Sequence, residues 1–204
     1  MKDMLVVFDL DGTLIDSSRS ILVSHEAAWA SVGAKCPPKE EILKLTGLPL
    51  IDIMQKLGPE YNPRTLANVY SQTYVEATRH ECLFDGVTDL LAKPFRAAVA
   101  TGKSQRGADR VIKHFGFESR FEAVLGANSV PNPKPNPDLL YMIMEITKTK
   151  DIVMIGDTTY DLEMADAAGV KGIGVSWGHH KPEVLEKWAP VANSVKELES
   201  LLKL

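Results

Sequence analysis

Met4-Leu5-Val6-Val7-Phe8-Asp9-Leu10-Asp11-Gly12-Thr13-Leu14-Ile15-Asp16-Ser17 is the stretch from which the rest of the chain is read. Five apolar residues run without interruption. Two carboxylates, Asp9 and Asp11, then stand one residue apart ahead of Gly12-Thr13. A short apolar run bounded by polar turn residues reads as a strand buried on both faces. In open α/β sheets ligands sit outside the carboxyl ends of such strands, which is where these acids fall. Two carboxylates so close repel unless a cation or a shared proton intervenes. An ordinary solvated turn would use the same residue types, so the decision rests on the strands that follow.

Working outward, the next sixty or so residues contain no convincing strand. Ser20 to Ala30 has apolar residues at helical spacing and stops at Gly33, and Pro37-Pro38 opens a second helix over Lys39 to Leu45. Pro49 begins a third helix that ends near Gly58-Pro59. Pro63 begins a fourth, through Leu66, Val69, Tyr70, Tyr74 and Ala77. Proline at a first helical position and glycine past the last turn are the usual punctuation. From Phe84 onward strands and helices alternate. The strands are Arg96–Ala100, Phe121–Leu125, Ile152–Ile155 and Gly172–Val175; helices follow from Ser104, Pro137 and Tyr160, and a closing amphipathic helix spans Val195 to Leu202. Repeated β-α units imply a mainly parallel, Rossmann-like sheet covered by helices. The expected organisation is an α/β core of residues 1–15 and 84–204, with a small all-helical cap, residues 16–83, inserted after the first strand.

Composition narrows the function classes. The 204 residues carry 23 Lys and Arg against 27 Asp and Glu, a net charge of -4 with no block of like charge. A nucleic-acid surface needs a concentrated basic footprint, so none is expected. No stretch reaches membrane-spanning length, and with Met1-Lys2-Asp3 ahead of an apolar run too short for a signal-peptide core, no signal peptide is expected. Cys36 and Cys82 form no metal-binding spacing, and free thiols in a reducing cytoplasm are the expected state. A monomer or homodimer acting on a small anionic molecule fits this profile.

The later strands end in chemistry. The second core strand runs into Thr101-Gly102-Lys103 and a helix start, a place where free backbone N–H groups suit an anion, although an N-cap uses the same residues. Pro131-Asn132-Pro133-Lys134-Pro135-Asn136-Pro137 sets four prolines around one lysine. Such a stiff, extended loop holds Lys134 in a fixed direction or acts as a rigid spacer. The fourth core strand ends Gly156-Asp157-Thr158-Thr159-Tyr160-Asp161. Asp157 would sit beside the first pair of acids or cap a helix, and Asp161 could orient a lysine, a water or a metal from behind.

Taken together, Asp9-x-Asp11-Gly12-Thr13, Thr101-Gly102, Lys134-Pro135 and Gly156-Asp157-x-x-x-Asp161 resemble the haloacid dehalogenase superfamily. The likeness extends from Phe8 to about Gly178 and is nearest to its helical-capped, phosphoglycolate phosphatase-like group. The resemblance implies that Asp9 is the nucleophile that takes up phosphorus as an aspartyl phosphate, and that Asp11 is the general acid and base. Asp9, Asp157 and the backbone carbonyl of Asp11 would hold Mg²⁺. Thr101, Gly102 and Lys134 would neutralise the phosphoryl oxygens, with Asp161 behind them. A carboxylate at position 11 separates phosphoryl transfer from dehalogenation in that superfamily. Phosphomutase, pyrophosphatase and nucleotidase chemistry share these motifs, and phosphoglycolate is the leading substrate.

For substrate recognition the resemblance points to the cap loop Lys44-Leu45-Thr46-Gly47-Leu48-Pro49, making Lys44, Thr46 and Gly47 candidate contacts. Lys44 and Arg19 are candidates for a substrate carboxylate, and Ser104 and Arg106 follow the phosphate loop. Their simpler alternative is a solvated helix face. His179-His180 reads as a loop, since adjacent imidazoles rarely converge on one ion. His25, His80 and His114 read as structural, and Trp29, Trp177 and Trp188 as packing residues. A signalling receiver also uses an aspartyl phosphate, but its phosphorylated Asp ends the third strand, where this chain has Gly126-Ala127-Asn128. A non-catalytic binding protein on the same fold would be expected to have lost Asp9, Asp11 or Lys134.

Overall fold

A computed structural model of the chain describes residues 4–204; the first three residues, assigned to the core from sequence, lie outside them. The apolar run forms β1 (Leu5–Phe8), wholly buried as its composition requires. The chain leaves it through a short strand, β2 (Ile15–Asp16), into four helices: α1 (Ser18–Ser31), α2 (Lys39–Leu45), α3 (Leu50–Leu57) and α4 (Pro63–Ala77). Helix α4 starts where the sequence places it, with the Asn62 side chain accepting from the N–H groups of Arg64 and Thr65 and Pro63 at the first position. The chain returns through β3 (Cys82–Leu83), which pairs antiparallel with β2, Ile15 opposite Leu83 and Asp16 opposite Cys82.

The remainder alternates: α5 (Val87–Ala92), β4 (Arg96–Ala100), α6 (Gln105–His114), β5 (Val124–Leu125), α7 (Asp138–Thr147), β6 (Ile152–Gly156) and α8 (Thr159–Ala167). It closes with β7 (Lys171–Val175), α9 (Pro182–Leu185), β8 (Val191–Ala192) and α10 (Val195–Leu202). Six strands form one parallel sheet in the order β5-β4-β1-β6-β7-β8. The first strand therefore lies at the centre, with Phe8 level with Val99 of β4 and Ile155 of β6. That register brings the carboxyl ends of β1, β4 and β6 to one rim. Alternate residues of β1 feed two cores: Val6 and Phe8 pack with α5, α6 and α10, whereas Leu5 and Val7 pack with α7 and part of α8.

The helical insert has its own apolar centre, where Trp29, Met54, Leu66 and Ala67 meet. Among the described residues no helix is long and apolar enough to cross a membrane. Both cysteines are free.

Three expectations need correcting. The ribbon β2–β3 and the edge strand β8 were not anticipated, because two-residue strands leave no period in the sequence. The strand expected over Phe121–Leu125 is regular only at Val124–Leu125. It is the outermost strand, and Glu122 and Ala123 still exchange backbone hydrogen bonds with β4. Trp188 was expected to pack but is 47% exposed, because the short α9 that leads to it buries chiefly Leu185.

Candidate active site

The three strand tips and one proline-mounted loop deliver the acids and the amine to one place. Asp9 follows β1 directly and is 1% exposed. Lys134, equally inaccessible, lies with its Nζ 3.0 Å from Asp9 Oδ1 and 2.5 Å from Asp161 Oδ1. The Lys134–Pro135 peptide is cis. Asp161, one turn into α8, is held in turn by the backbone N–H and hydroxyl of Thr158. Asp157, at the tip of β6, accepts from the Thr13 hydroxyl at 2.9 Å and from both the backbone N–H and the ring Nδ1 of His179 at 2.8 Å. Asp9, Asp157 and Asp161 each offer a carboxylate oxygen within 4.8 Å of the others.

Asp11 stands across the same opening. Gly12, at φ +80°, turns the chain back so that its N–H donates to Ile15; only glycine takes that conformation without strain. Asp11 Oδ1 is then 3.0 Å from Lys103 Nζ. Lys103 also donates to the Tyr74 hydroxyl at 2.7 Å and lies over that ring, while Tyr74 donates to Glu81. Thr101 is buried at the tip of β4, with its hydroxyl accepting from the Lys103 N–H. Gly102 meets the insert so closely that a Cβ there would run into the Gly47 carbonyl. The loop Thr46–Gly47 thus rests directly on the tip of β4.

Burial dominates the electrostatics. It raises the Asp9 carboxyl to about 7, with Lys134 opposing and the charges of Asp161, Asp157 and Asp11 adding. Lys134 is itself raised, since Asp161 and Asp9 outweigh the burial that would discharge it. The hydrogen bonds from His179 and Thr13 hold Asp157 below its ordinary value in spite of burial, and His179 is raised by Asp157 against its own desolvation. Asp9 and Asp161 share one lysine, Asp157 is paired with His179, and Asp9 Oδ2 has no partner among the described residues. Such a group calls for a further cation. The all-oxygen donor set suits a hard ion that keeps some of its water. Asp9 offers an unpartnered oxygen for that task, with Asp157 beside it under the hydrogen bonds of Thr13 and His179; Asp161 is committed to Lys134 and Thr158.

The structure therefore gathers Asp9, Asp11, Thr101, Gly102, Lys134, Asp157, Asp161, Thr46 and Gly47. It does not gather Lys44 or Arg19. Both are exposed. Lys44 engages through its backbone carbonyl, to Tyr160 and His180, because its side chain lies on the outer face of the last turn of α2. His25 was read as structural, yet it lines the cavity under the insert with Nδ1 unpartnered. Ser104 caps α6 by accepting from the Gly107 N–H, and Arg106 is exposed at the cavity edge. The pair His179-His180 is a loop, as read, and its rings diverge: His180 accepts from the Thr159 N–H. Sequence reasoning missed the part taken by Lys103, Tyr74, Glu81 and His179. Only Lys103, next to Gly102, carried any local hint.

A family model described as haloacid dehalogenase-like hydrolase matches residues 6–175. The probable phosphatase IndB of Dickeya dadantii is 34% identical over 199 residues, covering 91% of this chain and 86% of IndB. The tyrosine-protein kinase PtkA of Mycobacterium tuberculosis is 32% identical over 190 residues. That match covers 90% of this chain but only 65% of the length of PtkA. The crystal structure of a predicted phosphatase from Clostridium acetobutylicum superposes with a TM-score of 0.88 at 27% identity, covering 98% of each chain.

Proposed function

Because the chain belongs to the haloacid dehalogenase-like hydrolase family, we propose that it is a phosphatase of small phosphorylated metabolites that works through an aspartyl phosphate on Asp9. The observation that carries this reading is the Asp9 carboxylate itself, held by Lys134 on one oxygen and without a partner among the described residues on the other, on the floor of a cavity that Asp11 also lines. On this reading Asp9 Oδ2 attacks phosphorus. As the bond from phosphorus to the ester oxygen breaks, Asp11 gives that oxygen a proton. Asp11, now ionised beside Lys103, takes a proton from the water that then attacks the Asp9 phosphate, and phosphate leaves. Thr101, the Gly102 N–H and Lys134 face the phosphoryl oxygens, where donors fixed beforehand stabilise developing charge.

Asp9, Asp157 and the Asp11 backbone carbonyl would hold Mg²⁺. When bound, the ion offsets charge on the phosphoryl oxygens and helps to keep Asp9 ionised. The boundaries that go with this reading are a core of residues 1–15 and 84–204 and a cap of residues 16–83. The two free cysteines agree with a cytoplasmic setting. Phosphoglycolate keeps the support of the sequence resemblance, but the two cations nominated for its carboxylate do not face the cavity.

The test is release of phosphate from p-nitrophenyl phosphate. Wild type should be active with Mg²⁺ and silent with a chelator, and Asp9→Asn inactive in both. Equal rates for wild type and Asp9→Asn would rule the proposal out and favour a binding protein.

A further inference from the structure

The cavity between the insert and the strand tips encloses about 600 Å³, and its two walls differ in kind. The core side contributes Asp9, Asp11, Thr101 and Lys103, with Arg106 and Arg110 farther along α6. Among the described residues that line it from the insert there is no Lys, Arg, Asp or Glu. That wall is built from Ile21, Leu48, Leu50, Ile53 and an aromatic group, with Asn68, Ser71 and Gln72 as uncharged polar additions. Within the aromatic group Tyr70 stacks on Tyr74, centroids 5.5 Å apart and planes at 24°, and His25 meets Tyr70 edge-on at 5.0 Å. His25 is uncharged near neutral pH, since burial lowers it to about 4. The two phenols stay protonated, raised by burial and then by the nearby Asp11 charge.

Lys103 fixes where this pair stands: its Nζ is 3.0 Å from Asp11 Oδ1 and 2.7 Å from the Tyr74 hydroxyl, and Tyr70 stacks on Tyr74. The leaving group begins at the oxygen that Asp11 protonates, so it leaves beside the Tyr70–Tyr74 pair. On the insert wall a leaving group carrying a carboxylate or a second phosphate meets no cation, and a buried charge needs a partner; Lys103, Arg106 and Arg110 all stand on the opposite, core side.

We infer that this site takes phosphomonoesters whose leaving alcohol is uncharged and apolar, with an aromatic ring laid against Tyr70 and Tyr74. The inference rests on the phosphatase reading and narrows it. Discrimination in an apolar pocket is roughly 10–200-fold per methylene, so a whole ring should give an effect well above error.

The experiment compares kcat/KM for phenethyl phosphate, ethyl phosphate, phosphoglycolate and pyrophosphate. The phenethyl and ethyl alcohols are of similar acidity, so their ratio reads contact with the ring rather than ease of departure. Phenethyl phosphate should exceed ethyl phosphate at least tenfold and exceed both substrates whose leaving group is itself anionic. Tyr70→Ala should cut the phenethyl-to-ethyl ratio at least fivefold. Ser71→Lys, a change at an exposed position, should raise phosphoglycolate turnover at least fivefold by supplying the missing cation. Phosphoglycolate or pyrophosphate as the best wild-type substrate would overturn the inference and leave the phosphatase reading standing. So would a phenethyl-to-ethyl ratio unmoved in a Tyr70→Ala protein with wild-type circular dichroism. No turnover of any of these, nor of p-nitrophenyl phosphate, would remove the phosphatase reading and the inference with it.

Discussion

The floor and the roof of the cavity are built on opposite principles. The floor is charged and inaccessible: Asp9, Asp157 and Asp161 are at most 1% exposed, and each charge is held by a neighbour on a different strand or loop. The roof presents no charged side chain to the cavity among the described residues, and what holds it in shape is apolar packing around Trp29, Met54 and Leu66. The floor is fixed by sheet register, so its chemistry does not depend on which molecule is bound. The roof has no such constraint. Its side chains are free to differ according to the leaving group, and the difference assigns reaction to one surface and selection to the other.

The sharpest way to break that division is Lys134→Met. Removing one partner of a buried ionic group costs about 3–5 kcal/mol, and losing a donor to the transition state costs roughly a hundredfold to a thousandfold in kcat. Denaturant unfolding and kcat should both register the change; retention of either would show that the floor is less tightly coupled than its distances imply. Trp29→Ala tests the roof in isolation, since Trp29 is buried in the insert and does not line the cavity. It should lose about 3–5 kcal/mol of stability while kcat/KM for p-nitrophenyl phosphate, measured where the protein is still folded, stays within about threefold. A hundredfold fall would mean that the roof takes part in the chemistry.

The third prediction concerns pH. His25 titrates at about 4 in the folded chain against 6.5 for an ordinary histidine, so the unfolded state binds the extra proton. Stability should therefore be full above pH 6.5 and decline as pH falls towards 4, by at most about 3 kcal/mol from this residue. His25→Phe should flatten that limb by close to one proton; an unchanged slope would locate the acid sensitivity in the floor. The smallest effect is that of the metal. At a hundred times its Kd, Mg²⁺ should stabilise the wild type by about 2.7 kcal/mol, which raises Tm by several degrees. Asp157→Asn should show little of that shift, and an equal shift in both proteins would place the ion elsewhere.

The same two regions differed in how far the sequence disclosed them. Asp9, Thr101 and Asp157 were legible because each follows an apolar run, and a strand tip is a local feature. Lys134 was legible because its prolines announce a mount. The roof was harder, because a helix pattern shows which residues are apolar but not which face meets a partner added later in the chain. Lys44, nominated from the likeness of its loop to a cap loop, and Arg19 are exposed, while His25, read as structural, lines the cavity. The contact of Lys103 with Asp11, and through Tyr74 with Glu81, joins four separate segments. Nothing in the spacing of those residues could have linked them.

The ribbon in which Ile15 faces Leu83 and Asp16 faces Cys82 means that the backbone departs for the helices and comes home at neighbouring points. A splice there would make its two joins side by side, after Asp16 and before Cys82. Residues 17–81 could be traded for the corresponding helices of a relative without disturbing the order of the six parallel strands. Grafting a new lid is then the shorter route to a new specificity, and reworking the old one residue by residue the longer.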